Sequence, residues 1–145
     1  MFKLIFLFCL GLFYGNILEY IIHRYVFHKL GRKKESLFRY HLKGHHVLAK
    51  KQGFVDLTES QVETYGMFVL VGIHLPLCIL SFPLWAGVSL YALSFKIIHR
   101  LQHKYPNWTQ KWMKWHWDHH MSNPNENFGV VAPWCDHIFG TRKNR

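Results

Sequence analysis

Apolar and polar positions divide this chain into a few long helical stretches joined by strongly polar segments. Residues 2–22 read FKLIFLFCLGLFYGNILEYII, about the length that crosses a ~30 Å hydrocarbon layer as a helix. Residues 64–95 carry no charged side chain, and as one straight helix those 32 residues would rise ~48 Å, too far for a single span. Pro83, preceded by Ser81 and Phe82, supplies the break. The pattern therefore predicts a hairpin of two helices, about 59–81 and 84–104. The first should start at the capping box Thr58-Glu59-Ser60-Gln61, with Leu57 and Val62 as a hydrophobic staple. Pro106 ends the second, and Thr109 can cap a shorter helix running to about Met121, which Asn123-Pro124-Asn125 stops. The expected fold is all-α: an integral membrane helical bundle of about three spans with a histidine-rich helical cap, in one domain over 1–145.

Composition and charge sharpen this picture. Half of the residues are hydrophobic, yet 18 Lys+Arg stand against 8 Asp+Glu for a net charge of +10. Basic charge beside uncharged apolar runs suits a membrane protein facing anionic headgroups, and no nucleic-acid-binding motif spacing is present. Three spans place residues 24–58 and everything from 96 on at one side, which holds 17 of the 18 basic residues, Lys3 being the exception. By the positive-inside rule that side is cytoplasmic and the N-terminus faces away from it. A cleaved signal peptide fits residues 2–22 less well, for want of a small-x-small cleavage pattern. Trp108, Trp112, Trp115 and Trp117 would seat the 109–121 helix at headgroup level. Cys9, Cys78 and Cys135 lie far apart and read as small hydrophobes.

The chemistry lies in the histidines. Ten of the 12 fall into four clusters: His23/His28, His41/His45/His46, His99/His103 and His116/His119/His120. On a helix, positions i, i+3 and i+4 share a face, so His116, His119 and His120 can aim at one point, and His99/His103 and His41/His45 can act as pairs. His28 is five residues from His23, ~140° around an ideal helix, so the helix should loosen or end between them. His46 likewise needs a bend, or serves a second metal. Ten imidazoles exceed the four or so ligands of one tetrahedral site and point to two metals. Nitrogen ligands suit iron, zinc, copper and nickel alike, so ligand type leaves the metal open. Glu19, one turn before His23, is expected to accept from that imidazole or to snorkel to the interface. Asp118 is either a similar acceptor or a solvated helix residue. His74 and His137 stand outside the clusters and read as structural.

The order of the four clusters, with a hydrophobic hairpin between the second and third, resembles the membrane fatty acid hydroxylase / sterol desaturase superfamily of non-haem di-iron oxygenases. Glu19-Tyr20-Ile21-Ile22-His23-Arg24-Tyr25-Val26-Phe27-His28 is similar to its first box, and residues 127–141, NFGVVAPWCDHIFGT, to its C-terminal signature. The resemblance covers residues 17 to 141. It departs in having one span before the first box where members usually have two, three residues between the first two histidines of the second box where two are common, and Cys135 where Trp is common. The resemblance implies two irons, with O2 as co-substrate bound between them, held by His23, His28, His41, His45, His46, His99, His103, His116, His119 and His120. Zinc can replace iron during purification.

The implied activity is O2-dependent hydroxylation or desaturation of a membrane lipid. The primary reading is hydroxylation of a fatty acyl chain, with Phe68, Trp85 and Tyr91 forming apolar walls around it and Glu19 and Asp118 as outer acceptors. A carotenoid or sterol hydroxylase is the runner-up, since His-Arg-Tyr-Val-x-His also resembles the carotenoid hydroxylase first box. A non-catalytic metal-binding membrane protein is the rival from another class. Within 145 residues there is no room for a fused cofactor module, so the electron donor is expected to be a separate cytochrome or ferredoxin type protein. The single early span leaves room for a homo-oligomer. The active site is expected at the cytoplasmic face of a multi-pass protein.

Overall fold

Helix α1 (Phe2–Ile21) continues without a break through a π-helical segment (Ile22–Lys29) and a 3-10 turn (Leu30–Arg32). The computed structural model describes residues 1–58 and 60–144, and no strand occurs among them. Glu59 of the expected capping box and Arg145 of the basic tail lie outside the described residues. A second π-helical turn (His41–His45) leads into α2 (His46–Lys51).

The hairpin expectation is corrected in detail. Helix α3 (Gln61–Ile73) begins later than 59, because its N-cap is Ser60, whose hydroxyl accepts the Glu63 amide at 3.3 Å. The box is therefore Ser60…Glu63 rather than Thr58…Gln61. Thr58 is occupied elsewhere, its amide and hydroxyl donating to Asp56 Oδ1 at 2.9 and 2.6 Å. The helix then breaks at His74, and α4 (Leu75–Leu80) restarts it with Pro76 in its first turn. A proline there has no N–H to give and crowds the carbonyl four residues back. His74 closes the gap: Nδ1 donates to the Leu70 carbonyl at 2.7 Å and Nε2 meets the Tyr14 hydroxyl at 3.2 Å, tying the break to α1. The structural reading of this histidine fits that role, and His137 lies exposed.

Helix α5 (Phe82–Lys104) has Pro83 in its first turn, as the break at Ser81 requires. It packs along α1 by backbone contact. A Cβ on Gly87 would lie 2.3 Å from the Phe8 carbonyl oxygen, and one on Gly11 2.3 Å from that of Leu84. Small residues let helices approach this closely where lipid offers no hydrophobic drive to associate. Gly87→Val should therefore force α1 and α5 apart at a cost of about 1–3 kcal/mol or more, seen as a lower thermal midpoint in detergent. Gly66→Ala, where nothing lies within 4 Å of the added carbon, is the matched control.

Two described helices are long and apolar enough to cross a membrane, Phe2–Arg32 and Gln61–Leu80. The single helix expected over 109–121 is instead α6 (Pro106–Trp112) and α7 (Lys114–Met121), broken at Met113. Thr109 does not cap. It is buried, its hydroxyl donating to the Gln102 carbonyl at 2.8 Å and to that of Tyr105 at 3.2 Å. Trp108 and Trp112 are exposed, whereas Trp117 packs on Phe54 with ring centroids 4.8 Å apart. A last short helix, α8 (Trp134–Ile138), lies against α1, and Cys135 is buried beside Tyr20 and Phe128.

Candidate metal centre

The two π-helical segments explain the awkward histidine spacings. In an i→i+5 ladder a turn holds more residues, so positions five apart, which diverge on an α-helix, return to one side. His23 and His28 bracket the first segment, and their Nε2 atoms lie 3.2 Å apart. The second does the same for His41 and His46, with the His46 amide bonded to the His41 carbonyl. The expected pair His41/His45 is thus replaced by His41/His46, and His45 turns the other way.

Two groups result, each with one nitrogen per ring lying within 4.8 Å of the others: His23, His28, His41, His46 and His119, and His45, His99, His103 and His120. His116 adjoins the second group, its Nε2 3.4 Å from that of His103. The three histidines of α7 do not converge on one point. His119 and His120 are neighbours ~100° apart on the helix, so one faces each group. The groups touch where His46 and His120 stack with centroids 4.0 Å apart. Nine of the ten rings are buried and His99 is half-buried.

The ring nitrogens test whether a metal fits. Nδ1 of His23 lies 2.5 Å from the Phe128 carbonyl, that of His119 2.6 Å from Glu126 O, and that of His103 2.7 Å from Phe54 O. A carbonyl only accepts, so each Nδ1 carries the proton and each neutral ring presents an Nε2 lone pair inward. His41 and His45 direct Nδ1 at the Glu63 and Asp56 carboxylates at 3.1 and 2.7 Å, with the same result. His23 and His41 are both fixed in this way, so their Nε2 atoms stand 3.0 Å apart with no proton between them, and the Nε2 pairs His28/His119 and His45/His99 lie at 3.1 and 3.2 Å. Lone pairs at that distance repel unless a cation shares them. Two nitrogens each ~2.1 Å from one metal and ~90–110° apart are separated by ~3.0–3.4 Å, which is the spacing seen. His46 Nε2 and both nitrogens of His120 are buried without a hydrogen-bond partner among the described residues. Burial, and then the neighbouring imidazoles, hold His41, His46, His116, His119 and His120 well below the usual histidine range, hence neutral and able to ligate. The residues fit two metal ions.

The carboxylates that orient these rings are not the expected ones. Glu19 touches no imidazole and does not reach solvent; it accepts the Val130 and Val131 amides at 2.6 and 3.0 Å and the Tyr91 hydroxyl. Asp118 is buried, not solvated, and pairs with Lys114 at 2.6 Å rather than with a histidine. The acceptors are Asp56 and Glu63. With only 8 acidic residues in the chain, Asp56 between the second box and the hairpin and Glu63 in the first turn of the hairpin were the available signal. Burial pushes the Asp56 carboxyl up, but hydrogen bonds from His45 and from the Thr58 hydroxyl and amide outweigh it and bring the pKa down to about 2. Asp56→Ala should weaken metal binding at the second group roughly 10- to 100-fold and leave the first intact, checked by metal titration of the purified protein.

Beside the first group lies an apolar cavity of about 250 Å³ between α1, α3 and α5, lined by Leu18, Val26, Met67, Val88 and Tyr91 and ending at His23 and Glu63. Tyr91 is thus a wall residue as expected. Phe68 and Trp85 do not line it, and Phe68 faces outward.

An all-helical chain with two membrane-length apolar helices and nine histidines gathered into two metal-sized groups, with a tenth beside them, defines a class, the histidine-box proteins built on apolar helices. Within that class, the chain belongs to the fatty acid hydroxylase family, whose model matches residues 8–141. It is 32% identical over 145 aligned residues to the ceramide very long chain fatty acid hydroxylase of Saccharomyces cerevisiae, covering 94% of this chain. The chain spans only 38% of that relative's length. No solved structure matches.

Proposed function

We propose that this protein is an O2-dependent di-iron oxygenase that hydroxylates a lipid, with a fatty acyl chain as substrate. The observation that carries the proposal is the apolar cavity ending at the first imidazole group, in a member of a hydroxylase family. His23, His28, His41, His46 and His119 would hold one iron, and His45, His99, His103 and His120, with His116 beside them, the other. When bound, such irons supply the O2 activation needed to attack an unactivated C–H bond. The balance is one lipid C–H, one O2, two electrons and two protons in, and one hydroxylated lipid and one water out.

The chain's own residues do the rest. Leu18, Val26, Met67 and Val88 take an alkyl chain out of water and align it toward His23. The Nδ1 partners of His23, His41, His45, His103 and His119 lock those rings in the tautomer that presents Nε2. In the membrane, α5 serves as a third span alongside Phe2–Arg32 and Gln61–Leu80, which puts the histidine groups at the cytoplasmic surface among the basic residues of 24–52. Electrons arrive there from a separate donor protein. Mass spectrometry of lipids from cells expressing the protein tests this reading. A new oxygen-dependent hydroxyacyl species is expected; a modified carotenoid or sterol would transfer the proposal to those substrates, and an unchanged profile under oxygen would overturn it.

A further inference from the structure

The loop that follows α7 makes contacts that the metal groups alone do not account for. Four consecutive backbone amides are taken by two buried carboxylates: Phe128 and Gly129 donate to Asp136 Oδ1 and Oδ2 at 2.8 and 2.6 Å, and Val130 and Val131 donate to Glu19 Oε1 at 2.6 and 3.0 Å. The carbonyls of the same strap serve the first imidazole group, Phe128 O receiving His23 Nδ1 at 2.5 Å and Glu126 O receiving His119 Nδ1 at 2.6 Å. Asn127 between them is left-handed, φ 56°, which lets carbonyls 126 and 128 both reach that group. Among the described residues no ring Nδ1 of the second group bonds this strap: His45 and His103 are held by Asp56 and Phe54, and the strap meets that side only through Gln102, which donates to the Val130 carbonyl at 3.0 Å.

Glu19 and Asp136 are almost wholly buried and touch no histidine. A carboxylate buried in apolar surroundings is costly unless several donors satisfy it, and here the donors are backbone amides that would otherwise be orphaned. We propose that Glu19 and Asp136 are positioning residues that clamp the 126–131 strap and thereby set His23 and His119 for metal binding at the first group alone. This rests on the di-metal reading above.

Metal-depleted full-length protein in detergent, titrated with zinc, tests both separately. Wild type should bind two equivalents. Glu19→Ala should weaken one equivalent roughly 10- to 100-fold and leave the other unchanged. Glu19→Gln, which keeps an oxygen for Val130 and Val131, should restore most of the loss. Gly129→Ala, whose Cβ would lie 2.4 Å from Ala132 O and 3.0 Å from Asp136 Oδ2, should reproduce Glu19→Ala and decides the matter if that variant does not fold. Combining Glu19→Ala with Asp56→Ala should weaken both equivalents. The clamp is overturned if the strap variants bind two equivalents as wild type does, or lose both together. A wild-type protein that binds no zinc would sink the di-metal reading and the clamp with it.

Discussion

Replacing His119 with alanine should leave the purified protein with one iron per chain instead of two and abolish lipid product. His119 is fully buried, its Nε2 is 3.1 Å from that of His28, and Nδ1 is spent on the Glu126 carbonyl. No other side chain can replace that lone pair, because His120 on the same helix faces the second group. Losing even an outer partner of a metal ligand costs roughly 10- to 100-fold, so loss of the ligand itself should exceed the upper end of that range. His137→Ala, on an exposed ring of α8, should retain both metals and full turnover. Elemental analysis with product quantification checks both. Two irons in His119→Ala would remove His119 from the ligand set.

The second large effect is acid sensitivity that depends on metal. His41, His46, His116, His119 and His120 are held well below 6.5, first by burial and then by one another. An unfolded chain takes up protons at these positions as pH drops through 6.5, whereas the folded chain does not. Stability is therefore complete above 6.5 and falls below it, by about 1.4 kcal/mol per histidine for each pH unit. Five such groups act in the same direction, and an ordinary domain has only about 5–15 kcal/mol of stability to lose. Metal-depleted protein should unfold between about pH 6.5 and 5.5. Metal-loaded protein should survive to lower pH, because a coordinated lone pair is closed to protons and the bound ion favours the folded state. Tryptophan fluorescence against pH, with and without chelator, reads this directly. Coincident acid midpoints would show that the imidazoles hold no metal.

Much of this was legible in the residue pattern. Helical class, the break at Ser81-Phe82-Pro83 and the membership of ten histidines in one constellation follow from hydropathy, proline chemistry and spacing. The five-residue gap from His23 to His28 announced a loosened helix, and the chain answers with a π segment. What spacing could not give was the division of the ligands. His41 with His45, and His116 with His119 and His120, share an α-helical face on paper. The π turn at 41–45 rotates His46 into the place assigned to His45, and consecutive histidines 119 and 120 must point to different groups. Glu19 and Asp118 lie close to ligands in sequence, which makes each readable as an outer acceptor as well as an interfacial or solvated residue. The Glu19 carboxylate goes to Val130 and Val131, contacts over more than a hundred residues that leave no local signature, whereas Asp118 pairs with Lys114 one helical turn before it. The helix start moves from Thr58 to Ser60 because Asp56, two residues earlier, claims the Thr58 amide and hydroxyl.

The most direct test of the central claim supplies oxygen-18 gas, an electron donor and membrane lipid to iron-loaded protein and weighs the product. The account predicts a hydroxylated acyl lipid carrying one oxygen-18 atom, absent from the His119→Ala protein. Lipid recovered unmodified, or hydroxyl oxygen drawn from water rather than from O2, would contradict it.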